Sequence, residues 1–409
     1  MQKPFNCEDT MKDIVIIGGG YAGLSCALRL GARVRKQGLA ARVHLVSARP
    51  VVVERIRLHQ RVAGQAMRER ALDTLLAGTG VRLVRGAAED IDVQAHTVRV
   101  DGEVLNWDRL VLAAGSRTDL QAVPGAAAHA VSIEPDTAVA LMQRVAALPP
   151  GSRVAIVGGG LTGIETASEI AESCRGLQLD VRLVAGQRLA ADFPPPARAH
   201  LRHTLERLGV QVIEGQRVVE VAADHLCTHA APLPFDLCIW TAGFAAPPLA
   251  RHAGLSCNAA GQVLVDPMLR ALSHPAVYVA GDMGAPVQPP GQPLPQGCKS
   301  AMPMGVHVAE NIVRELRGAA PDPFDFALMF YCVSLGRRDG LIQWADAAGA
   351  LTGRTLTGRR AAWFKEFICK STIWALQLER RGLPAVVWKR TGQPALPSQM
   401  HKELEPTER

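Results

Sequence analysis

The sequence predicts an α/β fold with two Rossmann-like units and a smaller C-terminal module. Three observations support this prediction. An apolar strand, a glycine-rich loop and a helical segment follow one another near residue 18, and the same order returns near residue 158. After residue 320 the chain becomes richer in aromatic residues. Two copies of one strand–loop–helix–strand unit indicate two dinucleotide-binding domains rather than a short-period repeat.

Length and composition bound the class of protein. The chain has 409 residues, of which 48% are hydrophobic and 20% charged, so we expect a folded protein of two or three domains. Its nine cysteines include no CxxC pair, which argues against a zinc ribbon or a disulfide framework and indicates a reducing compartment. The first ten residues are too polar for a signal peptide, and no apolar run is long enough to cross a membrane. We therefore expect a cytoplasmic protein, either free or peripheral on the inner face of a membrane.

The first unit is carried by a short glycine motif. Residues 13–17 predict a strand and residues 22–35 a helix, with further strands at 42–46, 81–84, 97–100 and 108–113. Between the first strand and the helix stand Gly18, Gly20 and Gly23. Glycines at this spacing permit a tight turn and a close approach of the backbone to a pyrophosphate at the helix N-terminus. The motif therefore predicts dinucleotide binding.

The second unit repeats the design. Residues 153–157 predict a strand, 161–172 a helix and 180–184 a second strand. The loop contains Gly158, Gly160 and Gly163, which again predicts dinucleotide binding. A further helix is expected over residues 299–317, and the proline- and glycine-rich segment 284–297 is expected to be an exposed loop.

Neither unit has the acidic residue that usually binds the adenosine ribose. Ser47 stands in its place in the first unit, and Ala185 in the second. Without a carboxylate there is no repulsion against a 2′-phosphate, and Arg188 or Arg182 is a candidate to bind one. NADH and NADPH both stay open as the nucleotide of the second unit.

Several segments together resemble the flavoproteins with two dinucleotide-binding domains, and among them the type II NADH dehydrogenases. The resemblance covers about residues 12–316. Its pieces are GGGYAG at 18–23, WDRLVLAAGS at 107–116, VPG at 123–125, GGGLTGIE at 158–165, DLCIWTAGF at 236–244 and VYVAGDM at 277–283.

The resemblance implies an FAD domain interrupted by an NAD(P)H domain. We expect an N-terminal extension (1–10), two parts of the FAD domain (11–126 and 247–319), the NAD(P)H domain (127–246) and a C-terminal module (320–409). The implied FAD-binding residues are Gly18, Gly20, Tyr21, Ala22, Gly23, Ser47, Ala48, Arg49, Arg55, Ala87, Ala113, Ala114, Gly115, Gly281, Asp282, Ser300, Ala301 and Met302. The implied NAD(P)H-binding residues are Gly158, Gly160, Leu161, Thr162, Gly163, Ala185, Arg188, Ala242 and Gly243.

Three residues are candidates for catalysis. Glu165 lies one turn into the second nucleotide-binding helix, where it could orient nicotinamide or relay a proton. The alternative is a structural acidic residue that the helix dipole stabilises near the N-terminus. Cys298 and Lys299 begin the helix that the family directs at the flavin. Cys298 is either a thiol with a lowered pKa or a small packing residue. No cysteine pair lies beside the expected flavin site, which argues against a dithiol-relay enzyme.

The electron acceptor is the least determined feature. The resemblance implies hydride transfer from NAD(P)H to FAD and onward transfer to a quinone-like acceptor, but the family's glutamine pattern near the quinone is missing from residues 298–305. Two alternatives stay open: a soluble reductase or tailoring oxidoreductase with a carrier-protein or small-molecule acceptor, and an NAD(P)H-sensing flavoprotein similar to apoptosis-inducing factor.

The C-terminal module suggests where a partner would bind. It combines a basic excess with aromatic residues spaced to share one helical face, namely Trp363, Phe367, Trp374 and Leu378. This face could contact a membrane surface, pack on the FAD domain or form a homodimer. We expect no nucleic-acid partner and no metal.

Overall fold

The structure, a computed structural model, describes residues 11–288, 292–346 and 348–396. The expected extension at residues 1–10 and the last thirteen residues of the expected C-terminal module lie outside this range. The first part of the chain forms β1 (Lys12–Ile17), α1 (Tyr21–Gln37), β2 (Ala41–Ser47), α2 (Leu58–Val62), α3 (Leu72–Leu76), β3 (Val81–Arg85), β4 (Ala88–Asp92), β5 (Thr97–Val100), β6 (Glu103–Asn106) and β7 (Arg109–Leu112).

The second part forms its own set of elements. They are α4 (Ala126–His129), β8 (Val131–Ser132), α5 (Ala138–Ala146), β9 (Arg153–Val157), α6 (Leu161–Ser173), β10 (Asp180–Val184), α7 (Pro195–Arg207), β11 (Gln211–Ile213), β12 (Val218–Val221), β13 (His225–Thr228), β14 (Leu233–Pro234) and β15 (Leu237–Trp240). The chain then forms α8 (Leu249–His252), β16 (Arg270–Ala271), β17 (His274–Val279), β18 (Val287–Gln288), β19 (Gln292–Pro293), α9 (Cys298–Leu316), β20 (Phe330–Ser334), β21 (Gly340–Ala345), β22 (Leu351–Thr357) and α10 (Gly358–Arg380).

Two parallel sheets organise these elements. The first has the order β16–β17–β7–β1–β2–β3, and only its edge pair β16–β17 is antiparallel. The second has the order β11–β10–β9–β15–β8 and is parallel throughout. The chain leaves the first sheet after β7 and returns to it at β16, so the second unit is inserted into the first. The predicted α/β fold class with one interrupted Rossmann-like domain is confirmed by this architecture and by the similar solved structures described below.

Strand β1 lies in the interior of the first sheet, between β7 and β2. Ile14 to Ile17 of β1 are all buried, as expected for a strand with helices on both faces of a parallel sheet. Helix α9 packs against α1, where a Cβ atom at Gly305 would lie 2.1 Å from the Ala22 carbonyl oxygen. This contact requires glycine and brings the N-termini of both helices to the same edge of the sheet.

The C-terminal module joins the two units. Strands β20, β21 and β22 form an antiparallel sheet, and α10 packs on this sheet and on α1. Arg29 of α1 donates two hydrogen bonds to the buried Glu379 of α10, at 2.7 and 2.6 Å. The module is therefore fixed to the first unit through a buried ion pair. In the described part of the chain, no helix has the length and apolar character needed to cross a membrane.

One expectation from the sequence is wrong. Segment 284–297 was expected to be an exposed loop, but within its described residues Val287 is 1% exposed and Leu294 is 8% exposed. The segment is covered because the chain returns over it: Leu396 donates a backbone hydrogen bond to Val287 at 2.7 Å. Because Leu396 is distant from Val287 in the chain, the local sequence of the segment could not predict this pairing.

Candidate functional site

Two positions of the first glycine loop, Gly18 and Gly23, have no room for a side chain. Gly18 has a φ of +116°, and a Cβ atom there would lie 2.3 Å from the Ala113 carbonyl oxygen. A Cβ atom at Gly23 would lie 1.9 Å from the Gly18 carbonyl oxygen. Gly20 caps α1 without a side-chain hydrogen bond and faces open space. The first N–H groups of α1 therefore point into an open cradle, which fits the pyrophosphate of a dinucleotide.

The predicted partner at the end of β2 lies directly beside this loop. A Cβ atom at Gly19 would lie 2.6 Å from Ser47 Oγ, and this hydroxyl donates to the Arg49 carbonyl oxygen at 2.9 Å. The Arg49 guanidinium pairs with Asp136 at 3.3 Å. The loop after β2 thus offers a neutral hydroxyl and a cation at the ribose position, without a carboxylate.

Asp282 lies at the end of β17, at the same edge of the sheet. Ser116 Oγ donates to one carboxylate oxygen at 2.9 Å, and the Gly297 backbone N–H donates to the other at 3.1 Å. Nearby, a Cβ atom at Gly281 would lie 3.1 Å from Ala22 Cβ and 3.5 Å from Ala301 Cβ. The carboxylate is therefore fixed between the loop after β7 and the start of α9, with lone pairs left for further donors.

Most of the predicted FAD-binding residues thus meet at one place. Two predicted FAD-binding residues, Arg55 and Ala87, are not part of this group. Arg55 is on a short turn and pairs with Glu134 at 2.9 Å, and Ala87 is exposed with its N–H donating to Asp101 at 3.0 Å. The residues gathered at the carboxyl edge of the first sheet are Gly18, Gly20, Tyr21, Ala22, Gly23, Ser47, Ala48, Arg49, Ala113, Ala114, Gly115, Gly281, Asp282, Ser300, Ala301 and Met302.

The second glycine loop has the same geometry. Gly158 has a φ of +129°, and a Cβ atom at Gly163 would lie 2.0 Å from the Gly158 carbonyl oxygen. Gly160 caps α6 and faces open space. A cleft of about 550 Å³ opens here. Its lining includes the predicted Gly158, Gly160, Leu161, Ala185, Arg188, Ala242 and Gly243, together with Asp192, Phe193, Thr241 and Tyr331, which were not predicted.

Thr162 and Gly163 lie in the first turn of α6, behind the cleft lining. The Thr162 carbonyl oxygen accepts a hydrogen bond from Thr166 Oγ at 2.7 Å. Tyr331 could not be found from the sequence because it belongs to β20, in the C-terminal module. Its ring lies 5.3 Å from that of Phe193, so the C-terminal module contributes to the cleft lining.

Glu165 is buried at the junction of α6 with the C-terminal module. Its carboxylate accepts a hydrogen bond from the Ser334 backbone N–H at 2.9 Å and pairs with Lys365 Nζ at 3.0 Å. His59 Nδ1 lies 3.6 Å away. Burial alone would raise the pKa of Glu165, but the charge of Lys365 and the hydrogen bond from the Ser334 N–H lower it below the usual value. The carboxyl is therefore ionised at neutral pH, and its catalytic role stays a prediction.

The pKa values of Lys365 and His59 agree with an ionised Glu165. Burial opposes the charge of Lys365, but the neighbouring Cys332 and Glu165 raise its pKa well above the usual value. Burial lowers the pKa of His59 to about 4, so this imidazole is neutral at pH 7. The result is an ion pair beside a neutral histidine, in a place that solvent barely reaches.

Further charged residues surround this pair. Arg57 donates to Glu366 at 2.8 Å, and Arg337 reaches Glu366 at 3.2 Å and Glu169 at 3.5 Å. Burial raises the pKa of Glu169. Sequence reasoning missed this network because its members come from four separate segments. Of its members, only Glu165 was a candidate from the sequence.

Cys298 and Lys299 begin α9 as expected, but the thiol is not activated. Desolvation raises the pKa of Cys298 to about 11, which favours the packing residue among the two alternatives, and a redox role of this thiol stays a prediction. The pKa of Lys299 is lowered by burial, and its Nζ lies 4.3 Å from the centre of the Tyr331 ring. The eight cysteines among the described residues are all free thiols.

Comparisons with known proteins agree with this arrangement. Residues 12–310 match the family described as pyridine nucleotide-disulphide oxidoreductase. An NADH dehydrogenase-like protein of Mycobacterium tuberculosis is 29% identical over 326 residues, which cover 75% of this chain and 81% of the relative. A type II NADH:quinone oxidoreductase of Staphylococcus epidermidis is 27% identical over 401 residues, which cover 89% and 96%. A demethylphylloquinone reductase of Synechocystis is 26% identical over 352 residues, which cover 82% and 87%.

Solved structures show the same fold. The sulfide:quinone oxidoreductase of Aquifex aeolicus has a TM-score of 0.77 at 20% identity, covering 92% of this chain and 93% of that one. NDH2 of Plasmodium falciparum in complex with NADH has a TM-score of 0.75 at 15% identity, covering 91% and 97%. The resemblance inferred from the sequence motifs is therefore confirmed.

Proposed function

The chain belongs to the pyridine nucleotide-disulphide oxidoreductase family, and we propose that it passes electrons from NAD(P)H through FAD to a quinone. It is an FAD-dependent NAD(P)H oxidoreductase, and relatives matched over most of their length include a type II NADH:quinone oxidoreductase and a demethylphylloquinone reductase. Bound FAD would supply the two-electron chemistry that links hydride donation by NAD(P)H to reduction of the acceptor. The observation that carries the proposal is the pair of glycine-built nucleotide cradles within one chain of this family.

We assign FAD to the first cradle. The N–H groups at the start of α1 hold the pyrophosphate, and the Ser47 hydroxyl meets the adenosine ribose. Asp282 accepts a hydrogen bond from a ribityl hydroxyl, since its carboxylate is already held in place by Ser116 and Gly297. The N-terminus of α9, with Lys299 in its first turn, provides a positive potential that favours negative charge at the ring system.

NAD(P)H is assigned to the cleft of the second unit. Gly158 and Gly160 let the pyrophosphate approach α6, and the Ala242–Gly243 turn borders the nicotinamide. Glu165 is a positioning residue in this proposal. Its ion pair with Lys365 fixes α6 against α10 and so sets the distance between the two nucleotides.

The acceptor is proposed to meet Lys299 and Tyr331. Reduction of a quinone to a quinol takes two electrons and two protons. The hydride of NAD(P)H accounts for both electrons and one proton, and Lys299, whose pKa is lowered by burial, is the proposed donor of the other proton. The Tyr331 ring offers a flat apolar surface next to this amine. Cys298 takes the role of a packing residue, because a thiol with a pKa of about 11 is protonated at neutral pH.

Anaerobic stopped-flow spectroscopy tests this function. The flavin absorbance of the holoenzyme is followed on mixing with NADH or NADPH, and the reduced enzyme is then mixed with menadione, a water-soluble ubiquinone analogue, a ferredoxin or oxygen. We expect fast bleaching and reoxidation that is fastest with a quinone. Fastest reoxidation by ferredoxin would favour a carrier-protein reductase, and slow reoxidation by every acceptor would favour a sensing flavoprotein.

We also propose that an aromatic face on α10 contacts an anionic membrane. This face consists of Trp363, Phe367, Trp374 and Leu378, which are 71%, 43%, 50% and 38% exposed. The first two rings stack at 6.2 Å. Aromatic side chains with exposed arginines and lysines nearby are typical of helices that lie in the membrane interface. The exposed basic residues of the helix and its end are Arg359, Arg360, Lys370 and Arg381.

Vesicle sedimentation tests the membrane contact. We expect the protein to sediment with vesicles that contain phosphatidylglycerol and to do so less when Trp363 and Phe367 are both replaced by serine. The matched control is Val104→Ser, which removes an exposed apolar side chain (59%) from β6. If the double variant binds vesicles as well as the control does, the aromatic face is not the contact. A change from dimer to monomer without a change in vesicle binding would assign the face to a homodimer.

A further inference from the structure

We propose that the cleft of the second unit selects NADPH over NADH. Two arginines at its adenosine end, Arg188 and Arg217, would bind the 2′-phosphate of NADPH. The inference rests on the proposed function, since it specifies which reduced nucleotide donates the hydride. It goes further by assigning the discrimination to particular side chains. Arg217 was not recognised from the sequence.

Ala185 stands at the position whose side chain usually discriminates between NADH and NADPH. Ala185 follows β10, and a Cβ atom at Gly159 would lie 2.7 Å from Ala185 Cβ. In NADH-binding Rossmann domains an Asp or Glu at this point, about 20 residues after the glycine loop, bonds to the ribose hydroxyls and repels a 2′-phosphate. Ala185 can do neither, so nothing at this position favours NADH.

No other carboxylate takes over that role. Glu214 follows β11 near this loop, but one of its oxygens accepts the Leu189 backbone N–H at 2.7 Å and the other is paired with Arg202. Asp192, the acidic residue in the cleft lining, lies toward Tyr331, whose pKa is raised by burial and then by the charge of Asp192. The ribose end of the cleft is therefore left without a free negative charge among the described residues.

Two cations border that end instead. Arg188 lines the cleft and is exposed. A Cβ atom at Gly186 would lie 3.6 Å from Arg217 Cα and 3.9 Å from its Cγ, so Arg217 packs beside Gly186, which itself lines the cleft. Within the described residues, neither guanidinium forms an ion pair or a side-chain hydrogen bond. Unpaired arginines are well suited to phosphate because their planar fork can donate two parallel hydrogen bonds.

Arg182, the other arginine considered from the sequence, is occupied. It lies within β10, where it pairs with Asp180 and donates to the Pro234 carbonyl oxygen at 3.4 Å. Arg182 therefore serves as the matched control, since it is an arginine of the same loop and strand whose charge is already neutralised.

Binding of nucleotide fragments tests the proposal without turnover. Calorimetry on the holoenzyme compares 2′,5′-ADP with 5′-ADP for the wild type and for Arg188→Ala, Arg217→Ala, Arg182→Ala and Ala185→Glu. We expect tighter binding of 2′,5′-ADP by the wild type, and a loss of about 10- to 100-fold for that ligand alone when Arg188 or Arg217 is removed. Arg182→Ala should leave the ratio unchanged, and Ala185→Glu should reverse the preference toward 5′-ADP.

Equal affinity of the wild type for both fragments, or the same loss for both fragments in the arginine variants, would overturn the proposal. The kcat/KM ratio for NADPH and NADH, measured with a quinone acceptor, should follow the same order of variants. Failure of the proposed function would give a different result from failure of the selectivity. If neither NADH nor NADPH bleaches the flavin, hydride donation is refuted. Equal bleaching by both nucleotides refutes only the selectivity.

Discussion

Replacing Lys365 by methionine should destabilise the protein strongly, because it leaves the Glu165 carboxylate buried without its cation. The two groups are 3.0 Å apart, and their side chains are only 10% and 11% exposed. Lys365 Nζ also donates to the Cys332 carbonyl oxygen at 3.1 Å, and this acceptor would lose its partner too. Breaking a buried pair by removing one partner costs about 3–5 kcal/mol.

A neighbouring lysine provides the control. Lys370 is on the same helix, 57% exposed, and 3.6 Å from Glu366. An exposed pair of this kind contributes about 0–1 kcal/mol, so Lys370→Met should be nearly neutral. The two variants remove the same functional group from one helix and differ in burial.

The loss should depend on pH in a defined direction. In the wild type the pKa of Glu165 is lowered, so its stabilising contribution is present above the unfolded-state pKa and is lost only as pH falls through the folded value. Without Lys365, burial dominates and the pKa of Glu165 rises above the usual value. Its charge then destabilises the fold at pH 8, and protonation removes this penalty as the pH falls. The deficit of the variant should therefore shrink between pH 8 and pH 5.

Urea unfolding at pH 8 and pH 5 measures both effects. We expect a deficit of about 3–5 kcal/mol at pH 8, a smaller one at pH 5, and partial recovery in the Glu165→Gln, Lys365→Met double variant. A deficit that stays constant or grows as the pH falls would refute the reasoning. So would a deficit no larger than that of Lys370→Met.

Three further predictions concern the cradles and the thiol. Gly23→Ala, whose Cβ would lie 1.9 Å from the Gly18 carbonyl oxygen, should yield protein with little or no bound flavin, as measured by its absorbance. Gly163→Ala, with the corresponding distance of 2.0 Å to Gly158, should keep flavin but raise the KM for NAD(P)H by at least about 10-fold. Cys298→Ser should leave the rate of flavin reduction within about twofold, because a thiol with a pKa of about 11 supplies no thiolate at pH 7; a loss of 100-fold or more would show that it reacts.

Local patterns were enough to predict the nucleotide cradles. The strand–glycine–helix order sets their geometry within a few residues, and Gly18 and Gly158 both adopt the positive φ that the motif requires. The absence of a carboxylate at Ala185 was equally visible from the sequence. These features depend on neighbours in the chain, so the sequence contains the information needed.

The surroundings of the site depend on contacts between distant segments. Lys365 reaches Glu165 only because β20 packs on α6 and α10 packs on β20, and no sequence periodicity predicts that contact. For the same reason the burial of Val287 and the place of Arg217 behind Gly186 could not be predicted. The sequence also left open whether the pKa of Cys298 is lowered, because the extent of its desolvation depends on segments distant in the chain.

The central claim is that one chain holds FAD and NAD(P)H in two cradles and reduces a quinone. Its most direct test is anaerobic mixing of the purified holoenzyme with NADPH or NADH, followed by menadione, while the flavin absorbance is recorded. The account predicts rapid bleaching, faster with NADPH, and full recovery of the absorbance on adding the quinone. Protein that neither carries nor binds flavin, or flavin that neither nucleotide reduces, would contradict it.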